Sequence, residues 1–191
     1  MSERKRNHQI IMVFSVIFAV TLAIALAVAA QENEQVVEVK SALSKDAVRP
    51  GETFKAAVIL KVQAGYHINN NAPLDEFMFP TSVSIEDGPE FEVVEIYYPT
   101  GRRARYSYSE MELVVYDGEA VLGVLLKAKD GLAPGAKTLN VILSYQACDN
   151  TSCLPPKELP FEISIPVAKT GGGGDLHPEI FGKLRFKSLQ K

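Results

Sequence analysis

Tryptophan is absent from this chain of 191 residues, and it holds only two cysteines and three histidines. Phe and Tyr must therefore supply all the aromatic packing. A closed zinc site needs four ligands, typically Cys or His. Of the histidines, His8 lies near one end and His177 near the other, which leaves His67, Cys148 and Cys153 in the middle. That count fails for a Cys/His metal site, and no metal or cofactor is assigned. Helical periodicity is missing too: beyond residue 30 no stretch repeats its apolar residues with a period near 3.6.

Charge is absent from Ile10 to Ala30, just after Arg4, Lys5 and Arg6. A basic start, an apolar run and the small-residue exit "LAVAAQENEQ" form the three-part layout of a secretory signal. Residues 1–30 are read as a cleaved signal, with an uncleaved N-terminal membrane anchor as the alternative, since about 20 apolar residues span a bilayer. Residues 1–30 hold three basic side chains and one acidic, so the remainder has 17 basic against 22 acidic, a net charge of −5. Nucleic acid rewards a basic surface, so that class of partner is excluded. The expectation is an exported domain over residues 34–168. Residues 169–191 are read as a Gly-rich linker and a flexible tail, with docking of the tail on a partner or membrane as the sharper reading.

What is present is strand after strand. "VVEVKSAL", "TFKAAVILKV", "GYHIN", "FPTSVSIE", "FEVVEIYYP", "MELVVYDGEAVLGVLLKAK", "KTLNVILSYQAC" and "LPFEISIPV" are β-branched, apolar or alternating. Gly, Pro and Asp turns separate them. Asp117-Gly118 suits a type I′ hairpin turn. Leu139, Val141, Leu143 and Tyr145 are expected on one face, as are Phe161, Ile163 and Ile165. Seven to nine short strands without helices predict an all-β fold, an antiparallel β-sandwich. The longest segment without a strand pattern is Tyr98–Glu110, "YPTGRRARYSYSE", and long loops in compact domains are often functional.

"SYQACDNTSCLPPKELPF" carries both cysteines. In an oxidising compartment a pair this close forms a disulfide. A purely structural bridge is one reading, but a six-residue loop gains only about 2 kcal/mol by chain entropy, against about 4.7 for a hundred-residue loop. A catalytic cysteine with His67 as base is a weaker reading, and His67 is taken as a strand-end residue without a catalytic part. Thiol–disulfide exchange fits better. It needs a reachable sulfur and a second cysteine to resolve the mixed disulfide. Pro155 and Pro156 remove two backbone donors just after Cys153, so no ladder continues there. Asp149 beside Cys148 disfavours its thiolate, which describes a carrier rather than a strong oxidant. The competing function is an exported binding module with a structural disulfide.

Tyr145, Gln146, Cys148, Cys153, Pro155 and Pro156 spell Tyr-Gln-x-Cys, a short gap, then Cys-x-Pro-Pro. This resembles the signature of the periplasmic N-terminal domain of the thiol:disulfide interchange protein DsbD family. "AGYHINNNAP", "VVYDGEAVLGVLL" and "LPFEISIPV" agree with it, so the likeness spans most of Val36–Val167. The resemblance implies an immunoglobulin-like sandwich whose cysteines, Cys148 and Cys153, cycle between dithiol and disulfide. It implies thioredoxin-like proteins and a membrane thiol-electron transporter as partners. It also implies a cap loop whose aromatic residue shields the disulfide. Tyr98–Glu110 is the candidate cap, Tyr106 or Tyr108 the candidate shield, and Tyr66 a candidate site-lining residue. Neither the family's membrane domain nor its thioredoxin-like domain is found in this chain, and the expectation is a stand-alone domain with a separate electron donor. Arg102, Arg103 and Arg105 are read as a solvated loop face, with steering of an acidic partner as the alternative.

Overall fold

The computed structural model describes residues 35–86, 88–169 and 175–190. The signal or anchor segment 1–30 and the glycines 171–174 lie outside the described residues. Among the described residues no helix is long and apolar enough to cross a membrane.

Alternation builds the sheets. In β2 (Thr53–Val62) the residues Phe54, Ala56, Val58, Leu60 and Val62 are buried on one face. In β8 (Glu119–Ala128) the matching set is Ala120, Leu122, Val124, Leu126 and Ala128. These strands pair antiparallel, with β1 (Val37–Leu43) outside β2 and β5 (Phe91–Tyr97) outside β8. A second sheet joins β11 (Lys157–Val167), β9 (Gly135–Tyr145) and β4 (Ser82–Ile85). Its buried face carries Leu139, Val141, Leu143 and Tyr145 from β9 and Ile163 and Ile165 from β11, as the alternation predicts. Phe161 packs against the same core, part-buried. Residues of both sheets share one apolar core, so the fold is an antiparallel, immunoglobulin-like β-sandwich.

A third, smaller sheet holds β10 (Ala147–Cys148), β3 (His67–Asn69), β7 (Leu113–Tyr116) and β6 (Arg102–Ala104), in that order. Two expectations change here. The loop Tyr98–Glu110 contains a short strand, β6, paired with β7. The hairpin at Asp117-Gly118 does not form, because β7 and β8 belong to different sheets. Only Gly118 has a positive φ, +60°, so the type I′ geometry is absent. The dipeptide instead turns the chain from one sheet to the next, held by Val62 N–H donating to the Gly118 carbonyl at 2.7 Å.

The C-terminal segment, read as a flexible tail, is packed. A one-turn helix α1 (Pro178–Phe181) and the residues after it cover the outer face of the β1–β2–β8–β5 sheet. Phe181, Leu184 and Phe186 are buried against Ala57 and Leu125, with Ala42, Ile59 and Val121 around them. The physical reason lies in β8, whose outward positions Val121, Gly123 and Leu125 are apolar or bare, so this face needs cover. A Cβ at Gly123 would stand 2.7 Å from Phe186 Cζ and 2.8 Å from Leu184 Cδ1, which shows how closely the segment approaches. The Glu95 carboxylate accepts from Lys187 N–H at 2.8 Å and from Ser188 N–H at 2.9 Å, and the Ser188 hydroxyl, its strongest partner, holds its pKa below the ordinary value. Replacing Phe186 with Ala should therefore cost about 3 kcal/mol, the usual loss for a buried aromatic ring. Urea unfolding monitored by circular dichroism checks this, and an unchanged midpoint would show that the segment contributes nothing to the fold.

Candidate functional site

Cys148 and Cys153 form a disulfide, with Cα atoms 3.9 Å apart and a separation of five residues. The two residues face each other as an antiparallel bridge, so the intervening loop is a tight hairpin hung on the end of β10. Leu154 N–H donates to the Ala147 carbonyl at 2.8 Å, and Asp149 N–H to the Ser152 carbonyl at 2.9 Å. Pro155 and Pro156 then stop the pairing, having no N–H to give. Cys148 is fully buried and Cys153 part-exposed.

Asp149 does not reach toward the sulfurs as a free acceptor. Its Oδ1 accepts from Thr151 N–H at 2.7 Å, the Thr151 hydroxyl at 2.8 Å and Ser152 N–H at 2.8 Å. These bonds, the Thr151 N–H first, lower its pKa and commit the carboxylate to shaping its own loop.

Gln146 joins the hairpin to the rest of the site. Its Nε2 donates to the Leu154 carbonyl at 3.2 Å, and its Oε1 accepts from Phe79 N–H at 3.3 Å and Asn69 Nδ2 at 3.4 Å. Tyr145, one residue earlier, points into the main core and is 1% exposed. Burial raises its pKa. Tyr66 is part-buried against the same core. Both tyrosines share that core with Ala147 and Leu154, which flank the two cysteines.

His67, expected from the sequence to be a strand-end residue without a catalytic part, sits in a cluster with Tyr106 and Tyr108. It opens β3, and its register partner is Cys148. Directly opposed residues of an antiparallel pair lie on one face, with β-carbons about 5 Å apart. Tyr106 stacks on the imidazole with ring centroids 3.9 Å apart and planes 11° from parallel. Tyr108 stacks on Tyr106 at 5.5 Å, and its hydroxyl lies 2.6 Å from His67 Nε2. Ser107 donates from its hydroxyl to the Asn150 carbonyl at 2.9 Å, which ties the loop to the cysteine hairpin. Arg102 anchors the base of the same loop. It pairs with Asp117, Nε to Oδ2 at 2.9 Å, and its Nη2 donates to the Tyr106 hydroxyl at 3.4 Å. Arg103 pairs with Glu112 at 2.9 Å. The "YHIN" strand signal located His67, but its partner was legible only through the strand register.

Electrostatics set the protonation of this cluster. His67 is 2% exposed, and burial is the main reason its pKa falls from 6.5 to about 4, with Arg102 adding to the fall and Asp117 and Asp149 opposing it. Burial also pushes Tyr108 up to about 12. At neutral pH both groups are therefore uncharged, and in the tautomer with its proton on Nδ1 the imidazole accepts the Tyr108 hydroxyl at Nε2.

A family model described as thiol:disulfide interchange protein DsbD, N-terminal, matches residues 33–164. The chain belongs to the DsbD N-terminal domain family. Among solved structures it is similar to the reduced DsbD N-terminal domain of Neisseria meningitidis, at 18% identity and a TM-score of 0.44, over 70% of this chain and 88% of that one. It is also similar to the N-terminal periplasmic domain of ScsB from Proteus mirabilis, at 12% identity and a TM-score of 0.49, over 80% of this chain. The chain spans about half, 53%, of that ScsB structure. A search of curated proteins finds no match. In this DsbD-type domain, the matched residues include the hairpin, Gln146 and the two prolines described above.

The lowered pKa of His67 predicts a stability change with pH. An unfolded chain takes up this proton near pH 6.5, the folded one only near 4. Stability is therefore unaffected above about pH 6.5 and falls as the pH drops through that window, by at most about 3 kcal/mol. Asp149 and Glu95, with lowered pKa values, weaken the fold only below their ordinary 3.8 and 4.5. Urea midpoints between pH 7.5 and 4.5 should fall for the wild type and much less for His67→Gln. Parallel curves for the two proteins would contradict this.

Proposed function

We propose that the chain is a periplasmic thiol–disulfide exchange carrier, in which Cys148 and Cys153 pass two electrons from a membrane-linked reductant to a periplasmic thiol protein of thioredoxin-like type. The observation that supports this reading is a short-loop disulfide at the end of a small sheet, its hairpin tied to a loop of two stacked tyrosines by the Ser107–Asn150 bond, in a member of the DsbD N-terminal family. A bridge inside one hairpin adds little to the stability of a sandwich whose core lies elsewhere. Cys153, the part-exposed residue of the two, suits attack by a protein thiolate.

The exchange balances as follows. In the reduced pair, the Cys153 thiolate attacks one sulfur of the acceptor's disulfide. That bond breaks, a mixed disulfide forms, and one acceptor sulfur leaves as thiolate. The Cys148 thiol then loses its proton and attacks Cys153 Sγ. The second acceptor sulfur leaves, both acceptor thiolates take up protons, and the Cys148–Cys153 bridge is restored. Two electrons have moved to the acceptor. The donor side runs the same steps in reverse. The loop Tyr98–Glu110 acts as the cap: Tyr106 and Tyr108 cover the pair at rest, and a docking partner displaces them.

Equilibration of the full-length chain with thioredoxin-like proteins, quenched by alkylation and read by mass, tests this. The pair should exchange and settle at a potential in the range of thioredoxin-fold partners, roughly −270 to −120 mV. A pair that stays oxidised against every such partner would refute the reading. The double variant Cys148→Ser, Cys153→Ser should lose all exchange while losing no more than about 2 kcal/mol of stability. A variant that unfolds outright would instead make the bridge a structural one.

A further inference from the structure

Resting on the carrier reading, we propose that His67 is the proton acceptor for the Cys148 thiol, held back by Tyr108 until the cap opens. Resolution of the mixed disulfide requires Cys148 as thiolate, because the thiolate and not the thiol is the nucleophile. Cys148 is fully buried, so water is a poor base for it. Burial in apolar surroundings also disfavours the thiolate unless a specific group takes the proton.

The residues around Cys148 leave one group for that task. Asp149 is adjacent, yet its Oδ1 is engaged by three donors of its own loop. Asp117 is paired with Arg102. Tyr106 and Tyr108 are phenols stacked over the site. His67 is the register partner of Cys148 and shares its face of the ladder. In the Nδ1–H tautomer, which the proposal requires, its Nε2 lone pair is taken by the Tyr108 hydroxyl, 2.6 Å away in the closed arrangement. Withdrawal of the cap therefore frees a basic nitrogen on the residue that faces Cys148 across the ladder, at the moment when a mixed disulfide exists to be resolved. Opening also readmits water, so the burial that lowers the imidazole's pKa is relieved and its basicity returns toward the ordinary value. In the step itself, the S–H proton of Cys148 passes to Nε2, the thiolate attacks Cys153 Sγ, and the imidazolium gives its proton to the departing thiolate or to water.

Stopped-flow reaction of the reduced full-length chain with 5,5′-dithiobis(2-nitrobenzoate) separates the steps. One thionitrobenzoate leaves when Cys153 attacks and a second when Cys148 resolves. His67→Gln should slow the second release tenfold or more at pH 7, within the usual range for general-base assistance, while the first is unchanged or faster. The wild-type second release should also fall with pH through the ordinary histidine range, a leg that the variant lacks. Tyr108→Phe keeps the imidazole and removes only its latch, so it should resolve at least as fast as the wild type. If His67→Gln loses its near-ultraviolet circular dichroism, His67→Asn repeats the measurement. Equal second-phase rates and pH profiles in wild type and variant would overturn the assignment, and so would a Tyr108→Phe rate as slow as that of His67→Gln. A wild type that shows both releases but exchanges with no thioredoxin-like protein would refute the carrier reading alone.

Discussion

Two register pairs, Ala147 with Ile68 and Cys148 with His67, join the cysteine hairpin to the rest of the fold. The site depends on them. They set Cys148 and His67 opposite each other on one face of the ladder, and His67 in turn meets the two tyrosines of Tyr98–Glu110. Gln146 reinforces the same junction by bonding to the carbonyl of Leu154 on one side and to Phe79 N–H on the other. The hairpin cannot shift by one residue without turning Cys148 to the opposite face of the ladder. The large sandwich holds this small sheet in place, and the chemistry sits at its margin, where strands of two to four residues and few contacts make local opening inexpensive.

The closed arrangement is held by modest forces. Tyr108 to His67 and Ser107 to Asn150 are two hydrogen bonds, each worth about 1 kcal/mol net, and the ring stack adds a similar amount. The Arg102–Asp117 and Arg103–Glu112 pairs are exposed and contribute little. On the proposed carrier reading, a partner that contacts the loop and the hairpin offsets this sum, so the proposed cap shields the bridge from stray thiols without blocking an intended one. The shape of the cysteine loop does not rest on the cap, because Asp149 holds it from within.

Alternation made most of the sandwich legible. β2 runs over Thr53–Val62, the stretch "TFKAAVILKV" marked out by its β-branched and apolar residues, and the inward faces of β9 and β11 follow their period of two. The cysteine pair and its prolines were legible as a local motif. What stayed hidden is non-local. The pairing of Cys148 with His67 spans 81 positions of sequence, and no local pattern carries it. The Asp117-Gly118 dipeptide looks like a hairpin turn, since its residues allow one; whether β7 then pairs with β8 is decided by the sheets that compete for each strand. The docked C-terminal segment did leave a trace. β8 is apolar on both faces at Val121, Leu122, Val124 and Leu125, and Phe181, Leu184 and Phe186 beyond the glycine run are the cover it requires.

The central claim is that the bridge opens to a protein thiol through Cys153 while Cys148 closes it again. The most direct measurement uses reduced single variants mixed with an oxidised thioredoxin-fold protein and examined by mass under non-reducing conditions. Cys148→Ser should stall as a covalent adduct through Cys153, having no resolving thiol, and Cys153→Ser should form little or none. Absence of any adduct, or equal adducts through either cysteine, would contradict the account.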